Sequence, residues 1–198
     1  MDSVSPEKKK IRVTFNSPVI LSFVLICLIA TALGEVTHGA ATEKFFMTYR
    51  APLGNPGTWL RFITYIFGHG GWGHFVGNAS YLLLLGPMLE EKYGSRLLME
   101  IIAITAVVTA LVNYLLFPRV GLCGASGIVF AFILLASFTR VKDSEIPLTF
   151  ILVAVIFIGQ QIYEGITISD NISNMAHIVG GICGGCLGYE LNRQTQKS

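Results

Sequence analysis

Long apolar runs separated by short polar stretches dominate the chain from residue 18 to residue 190. Six runs approach the length that a helix needs to cross a hydrocarbon core of about 30 Å. They cover residues 18–36, 73–90, 97–117, 124–139, 147–163 and 172–190. A segment that crosses lipid must satisfy its own backbone hydrogen bonds, so each run is expected to be helical. The pattern predicts an all-α membrane protein with six transmembrane helices.

The composition agrees with a membrane protein and argues against several other classes. Of the 198 residues, 53% are hydrophobic and 13% are charged, whereas soluble domains carry about 25% charged residues. The net charge of +2 and the absence of a basic, aromatic-rich patch argue against nucleic-acid binding. All four cysteines lie in or beside apolar runs, which is not typical of a secreted disulfide framework. Cys183 and Cys186 form a CxxC without a second pair, so we expect no metal or redox centre.

The basic residues predict the orientation of the helices, because loops rich in Lys and Arg stay in the cytoplasm. With six spans, ten of the 14 basic residues fall on one side. These ten are Lys8, Lys9, Lys10, Arg12, Lys92, Arg96, Arg140, Lys142, Arg193 and Lys197. Both termini are therefore expected in the cytoplasm. The first apolar run is longer than the core of about 7–15 residues in a signal peptide, so we interpret it as a retained helix.

One membrane domain is expected to make up the chain. Residues 1–17 form a cytoplasmic tail, residues 18–190 the membrane domain, and residues 191–198 a second cytoplasmic tail. The connection over residues 37–72 is long, lies outside, and is rich in aromatic residues. Aromatic side chains favour the membrane interface, so this outer loop is expected to lie partly in the outer leaflet, although an ordinary exposed loop is the alternative.

Four of the polar side chains within the apolar runs are the most useful candidates, because polar groups at membrane depth are often functional. They are His74 and Asn78 in the second span, Ser126 at the start of the fourth, and His177 in the sixth. With a helical rise of about 1.5 Å per residue, Asn78 and Ser126 lie roughly 21 Å above the nearest cytoplasmic basic residue, and His177 roughly 24 Å. This common depth predicts a single site below the outer surface.

These residues suit nucleophilic hydrolysis. A serine hydroxyl needs a neighbouring base, and His177 could take the proton of Ser126. No acidic residue falls at this level of the spans, which predicts a Ser126–His177 dyad without a third acidic member. His74 and Asn78 are one helical turn apart on one face, so both could donate hydrogen bonds to an oxyanion, worth about 3–4 kcal/mol for one donor.

Glycines surround both halves of this dyad. Gly124 and Gly127 flank Ser126 where a helix should begin, so free backbone N–H groups would point at the same oxyanion. In the last span, Gly180 and Gly184 belong to a small-residue ladder that permits close helix packing in lipid. Packing of this ladder against the fourth helix would bring His177 to Ser126, and self-dimerisation is the alternative.

Three motifs occur in the order His69-x4-His74-x3-Asn78, Gly124-Ala125-Ser126-Gly127 and Ala176-His177-x2-Gly180. They resemble the second-helix histidine motif, the GxSG nucleophile motif and the AHxxG base motif of the rhomboid proteases. The resemblance implies that Ser126 and His177 are catalytic and that His74, Asn78 and Ser126 form the oxyanion hole.

Further residues carry the resemblance as structural or substrate-supporting positions. Trp59-Leu60-Arg61 is similar to the Trp-Arg loop motif of the family, with a leucine inserted, so Arg61 carries the match. Phe130 stands where some members have a tyrosine that stacks on the catalytic histidine. The remaining supporting positions are Gly124, Gly127, His69, Gly180 and Gly184.

The resemblance implies a bacterial-type rhomboid core of six helices, with a water-filled cavity open to the outside and substrate access beside the fifth helix. It implies single-pass membrane proteins as substrates, the lipid bilayer as surroundings, the inner membrane of a bacterium as location, and no metal or organic cofactor. No oligomeric state is predicted.

Two other functions compete with proteolysis. An inactive rhomboid-like protein could bind transmembrane helices without cutting them, but such proteins usually lack the serine or the histidine. A small transporter should show inverted repeats and broken helices, and neither is visible in the sequence.

Overall fold

The described residues form packed helices, which over residues 14–137 are joined by short connections and one long loop. The computed structural model describes residues 14–137, 148, 149, 151–156, 159 and 172–195. The helices are α1 (Pro18–Val36), α2 (Ala40–Phe45), α3 (Pro56–Thr64), α4 (Trp72–Tyr93), α5 (Ser95–Leu116), α6 (Ser126–Ser137) and α7 (Ile172–Thr195). Helix α3 continues into a 3₁₀ turn, Tyr65–Phe67. Within these residues we find no β-strand, only one isolated backbone bridge.

Helices occur where the apolar runs predict them. Helix α1 coincides with the first predicted span, and α4, α5, α6 and α7 overlap the second, third, fourth and sixth. In the fifth predicted span, residues 148, 149, 151–156 and 159 are helical, and the rest lies outside the described residues. Helices α1 and α5 are the described helices long and apolar enough to cross a membrane, and α6 is apolar but shorter.

The six-helix count and the orientation stay predictions. Residues 1–13, which carry the basic cluster Lys8–Arg12, lie outside the described residues. The same holds for residues 138–147, with Arg140 and Lys142, and for residues 196–198.

A buried carboxylate joins the start of α1 to the end of α4. Glu90 is only 5% exposed, and its carboxylate accepts hydrogen bonds from the backbone N–H groups of Val19 at 3.0 Å and Ile20 at 3.2 Å. The hydroxyls of Ser17 and Ser95 also donate to it. The first N–H groups of a helix have no partner within the helix, so Glu90 caps α1 from a distant part of the chain.

Helices α1 and α4 run antiparallel along their length. At one end, a Cβ atom placed on Gly86 would lie 2.6 Å from Cδ1 of Ile20, so the glycine permits the close approach. At the other end, a Cβ atom on Gly71, just before α4, would lie 3.7 Å from Oε1 of Glu35 near the end of α1. The polar side chains of the first half of α4 therefore lie at the end of the fold opposite Glu90.

Helix α6 occupies the centre of the fold. Ala131, Phe132 and Leu135 are fully buried, and α6 packs most extensively against α7 and also contacts α4 and α5. A helix that is apolar on all sides is typical of such a central position. The candidate site residues within the predicted spans therefore lie on α6 or on a helix that contacts α6.

The long loop is held against the segment that leads into α6. Thr48 and Leu122 exchange two backbone hydrogen bonds, of 2.9 and 2.8 Å. The N–H of Gly124 donates to the carbonyl of Tyr65 at 2.9 Å. These bonds fix the backbone just before Ser126. The position of this loop in the membrane interface stays a prediction.

Candidate active site

Ser126 is the first residue of α6, and the backbone before it touches two side chains of α4. Gly124 has φ +122, a conformation that side-chain-bearing residues rarely adopt. A Cβ atom on Gly124 would lie 2.7 Å from Cε1 and 2.8 Å from Nε2 of His74, and 3.7 Å from Nδ2 of Asn78. His74 and Asn78 therefore lie side by side, next to the turn that presents Ser126.

The side-chain amide of Asn78 is an unused hydrogen-bond donor. Asn78 is 7% exposed, and its Nδ2 atom has no hydrogen-bond partner among the residues that the structure describes. A buried donor without a partner costs about 1–3 kcal/mol. An oxygen that gained negative charge beside Gly124 would supply the missing acceptor.

His177 reaches the same region from α7. Its ring lies against that of Phe130, with centroids 4.5 Å apart and planes inclined at 46°. Phe130 follows Ser126 by four residues and thus shares its face of α6, one turn away. The structure therefore brings His177 over the helix face that begins with Ser126, and both Ser126 and His177 are partly exposed.

Glycines allow α6 and α7 to approach backbone to backbone. A Cβ atom on Gly180 would lie 2.7 Å from the carbonyl carbon of Gly127, and one on Gly184 would lie 2.5 Å from Cα of Ala131. The predicted close packing of the glycine ladder against this helix is confirmed. On Gly127, a Cβ atom would lie 3.4 Å from the carbonyl oxygen of Ala176, the residue before His177 in the sequence.

His69 lies behind His74, in the connection before α4. It is 3% exposed, and its ring meets that of His74 edge to face, with centroids 5.0 Å apart. Its Nδ1 atom lies 3.1 Å from the carbonyl oxygen of Phe67 and 3.4 Å from Oγ1 of Thr31. Burial, with a smaller contribution from His74, lowers the pKa of His69 to about 4, so the ring is neutral at pH 7.

Arg61 is held within the outer loop. It is 7% exposed, and its guanidinium carbon lies 4.4 Å from the ring centroid of Tyr49. A Cβ atom on Gly57 would lie 3.2 Å from its NH1 atom. A cation over an aromatic face is stabilising, so these contacts suit a structural role for Arg61.

Sequence analysis missed some of the residues that shape this region. Tyr65, whose carbonyl holds Gly124, and Thr48, which pairs with Leu122, belong to a loop with no motif of their own. Their partners are distant in sequence, so neither spacing nor periodicity indicates them. Among the described residues, no three His, Cys, Asp or Glu side chains converge so that they could hold a metal ion.

Long apolar helices that pack around a polar cluster indicate an integral membrane protein. The family model for the Rhomboid domain matches residues 56–194, which include α3 to α6 and nearly all of α7. The chain belongs to the rhomboid family.

Two relatives show how far the likeness extends. Rhomboid-related protein 1 of Caenorhabditis elegans is 32% identical over 142 residues, which cover 65% of this chain and 39% of the relative. Rhomboid-like protein 11, chloroplastic, of Arabidopsis thaliana is 26% identical over 149 residues, which cover 68% of this chain and 53% of the relative. The chain thus spans about half or less of each relative. Both relatives are eukaryotic, so they give no support to a bacterial inner membrane.

Proposed function

We propose that this protein is an intramembrane serine protease that cuts peptide bonds in or near the transmembrane segments of single-pass membrane proteins. The family is typically one of intramembrane serine proteases. The observation that carries the proposal is the position of Gly124, whose Cα faces both His74 and Asn78, two residues before Ser126. A nucleophile and two oxyanion donors then share one small region.

The proposed reaction uses the dyad predicted from the sequence. His177 takes the proton of the Ser126 hydroxyl while Oγ of Ser126 attacks the carbonyl carbon of the scissile bond. The carbonyl oxygen becomes negative and accepts hydrogen bonds from Nδ2 of Asn78, the ring of His74 and the N–H of Ser126. His177 then gives its proton to the leaving amine. Water hydrolyses the acyl-enzyme, with His177 again acting as the base.

The packing of α6 against α7 supports these roles. The contact between Gly127 and Gly180 fixes α7 beside the first turn of α6, and the ring of Phe130 limits the rotation of the His177 ring. Holding base and nucleophile in one geometry removes much of the entropic cost of the reaction.

The proposed surroundings follow the sequence prediction. We place six helices over residues 18–190, with both termini in the cytoplasm, short tails on either side and the site near the outer surface. Single-pass proteins would reach the site from the bilayer, and the proposed reaction uses no cofactor.

The decisive experiment is cleavage of a single-pass substrate by the purified full-length protein in proteoliposomes, with a metal chelator present. We expect Ser126→Ala and His177→Ala each to abolish cleavage. Ser137→Ala is the matched control, because the Ser137 hydroxyl lies in the same helix and donates to the carbonyl of Ile133. It should cleave at the normal rate.

Two results would contradict the proposal. Cleavage that persists in Ser126→Ala would rule out this nucleophile. If the unmutated protein binds transmembrane segments from several substrates and cuts none of them, the protein is a binding protein without protease activity.

A further inference from the structure

A cavity of about 600 Å³ lies at the end of α1 that is opposite Glu90. It is an open cavity lined by the last turn of α1, by α2 and by the connection that leads into α4. The lining residues that matter are Glu35, His38, Glu43, Met47, His69 and Gly70. Two carboxylates, of Glu35 and Glu43, thus line the cavity, which shares His69 with the surroundings of His74.

The two carboxylates of this cavity are available to a ligand. Glu35 and Glu43 are exposed, and neither forms an ion pair with another residue of the described chain. Glu35 belongs to α1 and Glu43 to α2, so the two charges face the cavity from different elements. Carboxylates only accept hydrogen bonds when ionised, so a partner must donate them.

His69 also lines the cavity, and its ring has one unused acceptor atom. A carbonyl oxygen can only accept, so the contact of Nδ1 with the carbonyl of Phe67 places the ring proton on Nδ1. The neutral ring then leaves a lone pair on Nε2. That atom is buried and has no hydrogen-bond partner among the described residues. The two carboxylates and their double negative charge favour a cation that donates hydrogen bonds, which is the chemistry of an ammonium or guanidinium group.

The cavity is also connected to the candidate active site. The His69 ring contacts that of His74, and a Cβ atom on Gly121 would lie 2.6 Å from Sδ of Met47 in the cavity wall. Gly121 begins the short segment that leads to Ser126. A peptide bound across Gly124 would thus lie beside the cavity, so the substrate itself is the ligand that the arrangement favours.

We propose that this cavity binds the Lys or Arg side chain of a substrate residue on the outer side of the scissile bond, and so selects substrates with a basic residue there. The inference rests on the proposed protease function and names the substrate feature that this site recognises.

The test is a substrate series in which Lys replaces Ala, one position at a time, over the residues on the outer side of the scissile bond. The quantity measured is the ratio of kcat/KM for the Lys substrate to that for the Ala substrate, for each enzyme. At one or two positions the unmutated protein should prefer Lys roughly fivefold, as expected for partly exposed charge pairs. A general loss of activity in a variant lowers both kcat/KM values equally, so it does not change the ratio.

Variants of Glu35 and Glu43 test whether the cavity causes the preference for Lys. The double variant Glu35→Gln and Glu43→Gln should lower the ratio to about one. Glu91→Gln removes an exposed carboxylate from the opposite end of α4 and should leave the ratio unchanged. The double variant Glu35→Lys and Glu43→Lys should instead prefer a substrate with Glu at the same substrate position.

Each outcome decides the question. If the Ala substrate is cut in a Ser126-dependent manner but the ratio is near one at every position, the inference is wrong and the protease function stands. If Lys is preferred and the preference survives in the double Gln variant, the cavity is not the cause. If no substrate is cut at all, the proposed function fails, and this inference fails with it.

Discussion

The imidazole ring of His177 lies against the phenyl ring of Phe130, with centroids 4.5 Å apart and planes inclined at 46°. One residue belongs to α7 and the other to α6, one turn after Ser126. Such a ring pair restricts the orientation of the imidazole. The orientation of the proposed base therefore depends on a neighbour that takes no part in the proposed chemistry.

Replacing Phe130 by Leu should reduce kcat/KM. Ring pairs contribute about 0.5–1.5 kcal/mol, so we expect a loss of roughly two- to tenfold. Phe130→Tyr keeps the ring and should retain most of the activity. Cleavage kinetics with one substrate and the three proteins check this. Equal rates for Leu and Phe at this position would show that the contact does not orient His177.

Removing the side chain of Asn78 should lower activity without lowering stability. Asn78→Ala deletes a proposed oxyanion donor, and kcat should fall about a hundredfold. Its Nδ2 atom has no described partner, so the free energy of unfolding should stay the same or increase. Kinetics and thermal unfolding of the same preparation check both parts.

Asn113→Ala is the matched comparison for Asn78. Asn113 is buried at 6% exposure, and its Nδ2 atom donates to the carbonyl of Val120 at 3.2 Å. Its loss leaves that carbonyl without this donor and should cost about 1–3 kcal/mol of stability. A large destabilisation by Asn78→Ala would instead indicate a structural role for that amide.

Adding a methyl group to Gly124 should abolish cleavage. Ala at this position would have a strained φ of +122 and a Cβ atom 2.7 Å from Cε1 of His74. Either His74 or the turn before Ser126 must then move. Gly54→Ala is a suitable control, because a Cβ atom there meets nothing within 4 Å and the φ angle is an ordinary one. Full activity of Gly124→Ala would contradict the described geometry.

Glu90→Ala should destabilise the protein more than any change at Glu91. The substitution leaves the N–H groups of Val19 and Ile20 without an acceptor, at about 1–3 kcal/mol for each buried group. Glu91→Ala alters an exposed neighbour and should change stability by less than about 0.5 kcal/mol. Thermal unfolding in detergent measures the difference. Equal unfolding temperatures would show that α1 does not need this cap.

The candidate site was partly predictable from the sequence. His74, Asn78, Ser126 and His177 stand out as polar residues within apolar runs, and with the predicted orientation helical rise puts Asn78, Ser126 and His177 at a similar depth. The structure adds two contacts that a common depth does not predict. Gly124 lies against His74 and Asn78, and the glycines of α7 pack against α6.

The sequence by itself determined where the described long helices lie, because a chain in lipid must satisfy its backbone hydrogen bonds locally and its apolar runs mark those segments. Only the tertiary structure decided the role of Glu90 as the cap of α1, and the shared cavity of Glu35 and His69. These relationships join residues far apart in the chain. Periodicity describes which face of a helix is apolar, but the partner of that face depends on how the helices pack together.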